Sequence, residues 1–589
     1  MVRGSLRPSQ VISTFGPGAI VDLRRSSVMI AGLDNWTPQK RLLVDEPRLQ
    51  RALHVDELYQ VADSKGRPDR RNVIPSVVFP RFMVCRACRR LSDNMYRWDA
   101  ELQEYRCSDP SCPKNAQGGD RMFPARFVLA CENGHVDEFP WRKYVHDGAT
   151  ECRAPLYLRE SGRSGGIGDV IVICAKHGAR SMADAFDLTL RSKLFGGCSA
   201  RRPWLPQAET DPNGCTAHMR PVLRGATNLY FPVVRSALSI PPWSDRVQEA
   251  VGAREQELAK VASLDDLRMA LKYANLPELE RWPVEQVWAA LEKRRGIVPA
   301  TMQDLLLPEW EALQKSTSGD NGEFQTELAV VPTEHAPWIQ SIVVVKRLKE
   351  VRAIQAFTRI ESWADLEAAG AIDLQRLAPI SAGKPTWLPA LLTRGEGIFV
   401  VLDESRVRSW EESSPTSRAY DAIVRANDLW RKDRHLQAAP CPPARYVLLH
   451  TISHLLMRQM ALECGYSGSA LRERIYASND AAFPMAGVLI YTSTPDSEGS
   501  LGGLVDLADP HTLGPIVRTA LEEARLCSSD PLCADTRPGD RGVINGAACH
   551  ACLLLPETAC ERGNRFLDRA FVIQTIAGLD CHFVKAVGA

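Results

Sequence analysis

All but three of the 17 cysteines (Cys441, Cys464 and Cys581) fall in clusters whose spacing suits a metal ion. Close cysteine pairs in a chain without export signals read as ligands before disulfides. The first cluster is Cys85-x2-Cys88, then 18 residues, then Cys107-x4-Cys112. Zinc takes four soft or borderline ligands at the corners of a tetrahedron, and each close pair supplies two corners. Two such pairs flanking a strand-length insert have the zinc-ribbon arrangement. A site filled by four protein ligands leaves no open position, so its role is structural.

The second candidate set is Cys131-x3-His135 with His146-x5-Cys152. Gly134 permits a tight turn towards the ion, and Asp137 and Glu138 are candidate acceptors to orient the histidines. The third set is Cys174-x2-His177 with Cys198 and Cys215. Spacing does not fix the pairing, so members of the second and third sets are exchangeable. The fourth holds five cysteines, Cys527, Cys533, Cys549, Cys552 and Cys560, for one tetrahedral ion. Cys549 and Cys552 are the safest ligands, Cys533 and Cys560 the nearer partners, and Cys527 the reserve. Two to four zinc ions per chain are expected. The isolated Cys441, Cys464 and Cys581 read as small buried hydrophobes.

Other chemistry finds less support. No G-x-x-x-x-G-K-[ST] phosphate loop occurs; Gly383-Lys384 runs into Pro385. Phe399 to Glu404 looks like the acidic strand end of a nucleotide site, but without a phosphate loop it reads as a plain strand end. No ATP hydrolysis by this chain alone is expected. His450 and His454, four apart on a predicted helix with Glu463 beyond, face one side. Thr451 stands where a zinc protease needs Glu, so that chemistry is unsupported. Packed or hydrogen-bonded histidines are the simpler reading, and a metal-dependent nuclease is the enzyme alternative. Arg81, Arg86, Arg89 and Arg90 around the first cluster are either solvated charges or phosphate contacts.

The elements that must position these ligands are α+β and divide among several domains. Length bounds the count: 589 residues suggest two to four. We expect an N-terminal segment over 1–80, zinc-ribbon-like modules over 81–240, a mainly helical region over 241–390, and an α/β zinc-binding domain over 391–589. Strands are predicted at 127–129, 170–173, 398–402 and 487–491. Helices are predicted at 264–274, 284–294, 446–464 and 513–526, with a helical pattern prevailing over 245–375. The apolar share of 45%, the charged share of 24% and a net charge of +1 are ordinary for a soluble protein and exclude a polyelectrolyte tail. With neither a secretory h-region nor a bilayer-length apolar run, a cytoplasmic protein with no membrane contact is predicted.

Several segments are similar to a known family. Leu6-Arg7-Pro8-Ser9-Gln10 through Phe15-Gly16-Pro17-Gly18-Ala19, Cys131 to Trp141, Arg224 to Pro232, and Glu463 to Ser467 resemble the DrmB family, accessory subunits of the DISARM anti-phage system. Gly487 through Cys560-Glu561 and Asn564 to Arg569 resemble the MrfA-like zinc-binding domain that closes some helicases. The resemblance implies a non-catalytic zinc protein in anti-phage defence. Its implied partners are a DrmA-like helicase, which would supply the ATPase, and, through that complex, DNA bearing a single-stranded end. A scaffold that touches only protein is the remaining alternative.

Overall fold

In the computed structural model the described residues are 6–585, except 40–41, 62–72, 161, 163–164, 242–245, 253, 274–275, 297–304, 317–321, 364–375, 435, 437–438 and 494–502. The central sheet has nine strands among the described residues, and its six longest are β1 (Phe231–Leu238), β2 (Gln325–Ala329), β3 (Ile339–Thr358), β4 (Trp387–Leu402), β5 (Leu471–Ser478) and β6 (Met485–Thr492). They lie in the order β1-β3-β4-β6-β5, with β2 beside β3, and all these pairings are antiparallel. A short strand from the N-terminal region, Glu57–Gln60, joins parallel to β4. The two ends of the chain therefore share one sheet, and β4 runs across the boundary expected near 390.

Both faces of this sheet are covered. On one face lies the 21-residue helix Ala444–Cys464, which is buried on nearly every side. It packs with the helix Pro510–Arg525 and the turn of helix Arg569–Val572 over Ile342, Val400, Val488 and Ile490. On the other face Val343, Val345, Phe399, Val401 and Leu489 meet Leu313 of the helix Leu306–Leu313. A strand buried on both faces is apolar at successive positions, as Ile342-Val343-Val344-Val345 is.

The helical pattern read over 245–375 holds only as far as Leu313. Its helices include Leu264–Tyr273 and Val284–Gly296, which share the small core of Val251, Leu258, Leu267 and Val287. Gln325–Ala329 and Ile339–Thr358 are strand instead, because β-branched residues suit a doubly buried sheet better than a helix, and the end of the expected range, 364–375, lies outside the described residues. The expected strands at 127–129, 170–173, 398–402 and 487–491 and the helix at 446–464 all form. Asp403 follows β4 as a helix N-cap, its carboxylate accepting from Arg406 N at 2.8 Å, which agrees with the strand-end reading. Among the described residues no helix is long and apolar enough to cross a membrane.

Candidate metal centres

The first cluster assembles as spaced. Cys85 ends the strand Met83–Cys85 and Cys107 ends Glu104–Cys107. Their sulfurs lie 3.9 Å from those of Cys112 and Cys88 respectively. Zinc–sulfur bonds of ~2.3 Å in a tetrahedron place neighbouring sulfurs ~3.8 Å apart, so this cage has the right size. Gly119, at φ +82°, lies against Cys107, where a Cβ would sit 1.9 Å from the carbonyl oxygen. Two of the nearby arginines are already committed: Arg90 pairs with Asp109 at 3.1 Å, and Arg89 donates to the Leu158 carbonyl at 3.0 Å.

The second and third sets exchange members, and sheet register is the reason. Cys131 follows the strand Phe127–Ala130, whose antiparallel partner Arg220–Leu223 lies just beyond Cys215. That pairing brings Cys131, His135, Cys198 and Cys215 together. Cys131 Sγ is 3.6 Å from Cys198 Sγ, 4.0 Å from Cys215 Sγ and 3.5 Å from His135 Nδ1. Cys152 instead precedes Leu156–Glu160, which pairs with Val170–Cys174 so that Leu156 faces Cys174. The other set is thus His146, Cys152, Cys174 and His177. Cys152 Sγ lies 3.8 Å from Cys174 Sγ and 3.3 Å from His177 Nδ1.

The acceptors that orient these histidines also differ from expectation. His135 Nε2 faces Asp211 at 3.2 Å, while Asp137 accepts from Ser199 and Glu138 from the Arg81 amide. His146 donates Nδ1–H to the Arg142 carbonyl at 2.7 Å, which leaves Nε2 facing the cluster. A carboxylate or carbonyl behind the imidazole is the usual device for fixing a metal-binding tautomer. Gly134 turns with φ +81°, as its position in the ligand loop requires.

In the fourth set Cys527 replaces Cys560. Cys527 Sγ is 3.5 Å from Cys549 Sγ, and Cys552 Sγ is 3.7 Å from both Cys533 and Cys549. The completely buried Arg569 supports them from below. It donates to Asp530 at 2.9 Å and to Cys533 Sγ at 3.5 Å. Burial pushes the Cys533 thiol up to about 12. Burial opposes ionisation of Cys549 too, but hydrogen bonds led by that from Cys527 hold it at about 7. Thiols this close cannot all ionise unless a cation offsets their repulsion, and a zinc ion does so while displacing their protons.

Cys560 goes elsewhere. Its sulfur lies 3.1 Å from His450 Nε2, in a group completed by His454 and Glu473. Glu463, the acid expected near these histidines, only accepts from Gln459. Sequence reasoning missed Glu473, because an acid between Arg472 and Arg474 looks like part of a solvated charge run. It also missed Asp211 and gave Arg569 no role. Cys441, Cys464 and Cys581 join none of the groups found among the described residues.

A family described as "Domain of unknown function (DUF8724)" matches residues 7–231. The MrfA Zn-binding domain family matches 452–553, a span that holds Cys527, Cys533, Cys549 and Cys552 and stops short of Cys560. The curated relative "DISARM protein DrmB" of Bacillus paralicheniformis is 30% identical, with the alignment covering 96% of this chain and 100% of the relative. A match that runs through the cysteine modules, the central sheet and the zinc-binding domain alike places the whole chain: it belongs to the DrmB family of DISARM defence proteins.

Proposed function

We propose that this chain is a non-catalytic, zinc-braced subunit that docks a DrmA-like helicase and helps the assembly hold DNA with a single-stranded end. In this reading zinc is held by Cys85/Cys88/Cys107/Cys112, Cys131/His135/Cys198/Cys215, His146/Cys152/Cys174/His177 and Cys527/Cys533/Cys549/Cys552. The supporting observation for DNA contact is a cleft of about 1110 Å³ lined by residues of the N-terminal region, β1, β3, β5 and the loop 557–563. Arg224, Arg235, Arg352, Arg472, Arg474 and Arg562 all line it.

The acids Asp22, Glu350, Glu473, Glu557 and Glu561 line the cleft beside these arginines. Arg474 is committed to Glu309 at 2.6 Å. Arg352 and Arg472 are left facing Glu350, which accepts from Tyr491 at 3.0 Å and Ser493 at 2.9 Å. Burial works against ionising Glu350, yet Arg472, Arg352 and Arg474 hold its carboxyl below the ordinary range. Burial and the like charge of Arg472 pull Arg352 down to about 10. A phosphate entering the cleft would relieve that crowding, and single strands are held by such basic grooves.

The test uses the complex of this chain with its helicase. Arg352→Gln together with Arg472→Gln should weaken DNA binding and flatten the dependence of log Kd on log salt by about 1.4, the value for two lost phosphate contacts on a single strand. An unchanged slope would remove DNA contact and leave the protein-only scaffold. Failure of the wild-type chain to co-elute with the helicase would remove the docking role. The nuclease alternative requires an open metal position facing DNA, whereas His450 and His454 are wholly buried.

A further inference from the structure

We propose that His450, His454, Glu473 and Cys560 form an additional closed zinc site, set in the wall of the arginine-lined cleft. The four donor atoms all lie within 4.8 Å of one another. His450 and His454 stand one turn apart on the helix Ala444–Cys464, their rings nearly perpendicular with centroids 4.6 Å apart. His450 Nε2 is 3.1 Å from Glu473 Oε1 and 3.1 Å from Cys560 Sγ. His454 Nε2 is 3.5 Å from the same carboxylate oxygen. Tetrahedral zinc with nitrogen, oxygen and sulfur ligands has edges of ~3.3–3.7 Å, so a small inward or outward movement seats the ion.

Hydrogen bonding alone does not account for the group. The ring nitrogen of His454 on its far side, Nδ1, donates to the Leu553 carbonyl at 2.9 Å, which leaves Nε2 as a bare lone pair aimed at Glu473. His450 Nδ1, His454 Nε2 and Glu473 Oε2 are buried without a hydrogen-bond partner. The side chains of His450, His454 and Glu473 are all 0% exposed. A protonated His450 would satisfy one contact to Glu473 and still leave His454 Nε2 and Cys560 facing it. His450 reaches the group through Nε2, so of these atoms it is His454 Nε2 that is shown facing Glu473; a buried ring nitrogen without a partner is rare, and a cation held by the four donors would satisfy it.

The sulfur carries a second, independent mark. The Arg562 amide donates to Cys560 Sγ at 3.4 Å and the Asn564 amide at 3.2 Å. The same bond from the amide two residues on reaches Cys152 from Ala154, Cys198 from Ala200 and Cys527 from Ser529, at 3.4, 3.2 and 3.4 Å. Cys560 thus has the local backbone of the clustered cysteines. Two imidazoles, one carboxylate and one thiolate at tetrahedral distances favour zinc over harder or strictly sulfur-bound metals. With four protein ligands no position is left for water, so the ion braces and does not catalyse. It would tie the helix Ala444–Cys464 and β5 to the loop carrying Glu561 and Arg562, which line the cleft together with Glu473 and Cys560.

The experiment is a zinc-edge anomalous diffraction map of the wild-type protein, combined with metal analysis of Cys560→Ser and Glu473→Gln. The expected result is a zinc peak between the two histidines, with each variant holding one zinc ion fewer than wild type. No peak between ordered side chains, or variants that keep the full wild-type zinc content, would overturn the site. The map needs no variant, so it decides the matter even if the substitutions prevent folding. Its failure would leave helicase docking and DNA contact standing.

Discussion

Cys549 and Glu46 show opposite shifts of an acid on folding. Cys549 is held at about 7 against the effect of burial, by hydrogen bonds that a metal would replace. Cys549→Ser should therefore release one zinc ion per chain and lower the melting temperature, whereas Cys441→Ser, outside every cluster, should keep the full zinc content; metal analysis beside a thermal melt reads both. Glu46 carries no metal. Burial, only partly offset by Arg48 and Ser239, raises its carboxyl from 4.5 to about 7. A group raised on folding stabilises the native state below its unfolded value and loses that contribution as pH rises through the folded one. Between pH 4.5 and 7 the wild type should lose about 2–3 kcal/mol relative to Glu46→Gln, at 1.36 kcal/mol per pH unit. Urea midpoints across that range check it, and parallel curves for the two proteins would refute it. At this scale the ligand types were legible and their grouping was not. Cys85-x2-Cys88 is local, so spacing suffices. Cys131 meets Cys215, and Cys152 meets Cys174, only through strand register, which no spacing encodes.

Elements explain the rest of the mismatch. The long helix Ala444–Cys464 was legible from its apolar content and from Gly465, which ends it at φ +67°. β3 was hidden because it follows a run of helices and its charged residues obscure the strand pattern. Lys349 and Glu350 are both almost completely buried in it. The short helix Leu306–Leu313 matters beyond its length because Glu309 sits fully buried at a crossing of three segments. Its carboxylate accepts from Arg48 at 2.9 Å, Arg474 at 2.6 Å, Tyr476 at 3.1 Å and the Leu238 amide at 3.0 Å. Removing one member of a buried ionic network strands the other charges and costs about 3–5 kcal/mol. Glu309→Ala should lower stability by that amount in denaturant melts, while replacing the exposed Glu327 of β2 should change it by less than about 1 kcal/mol. Similar losses from the two would mean that the network contributes nothing specific.

Across the whole molecule, the proposed zinc sites and apolar burial would divide the work of holding the fold. Residues 83–223 carry three of the clusters on short strands of three to five residues. Each such strand is short, and in the proposed reading zinc cross-links them beside a core that includes Phe127, Phe139, Trp141 and Tyr144. The central sheet has a different balance: β3 is 20 residues long and β4 is 16, they pair along most of their length, and both faces are covered by apolar side chains. Apolar burial at roughly 25 cal/mol per Å² does not depend on an ion. Withdrawal of zinc by a chelator under reducing conditions should therefore loosen the molecule in stages. Amide exchange should rise first over the ligand turns near 85–88, 131–135, 174–177 and 549–552, then through the strands of 83–223. The amides of β3 and β4 should stay protected after the first ions have left. Hydrogen exchange read against zinc release gives the order directly. Protection lost from β3 in step with the first zinc would mean that the central sheet, too, stands on metal, and that this division of labour is wrong.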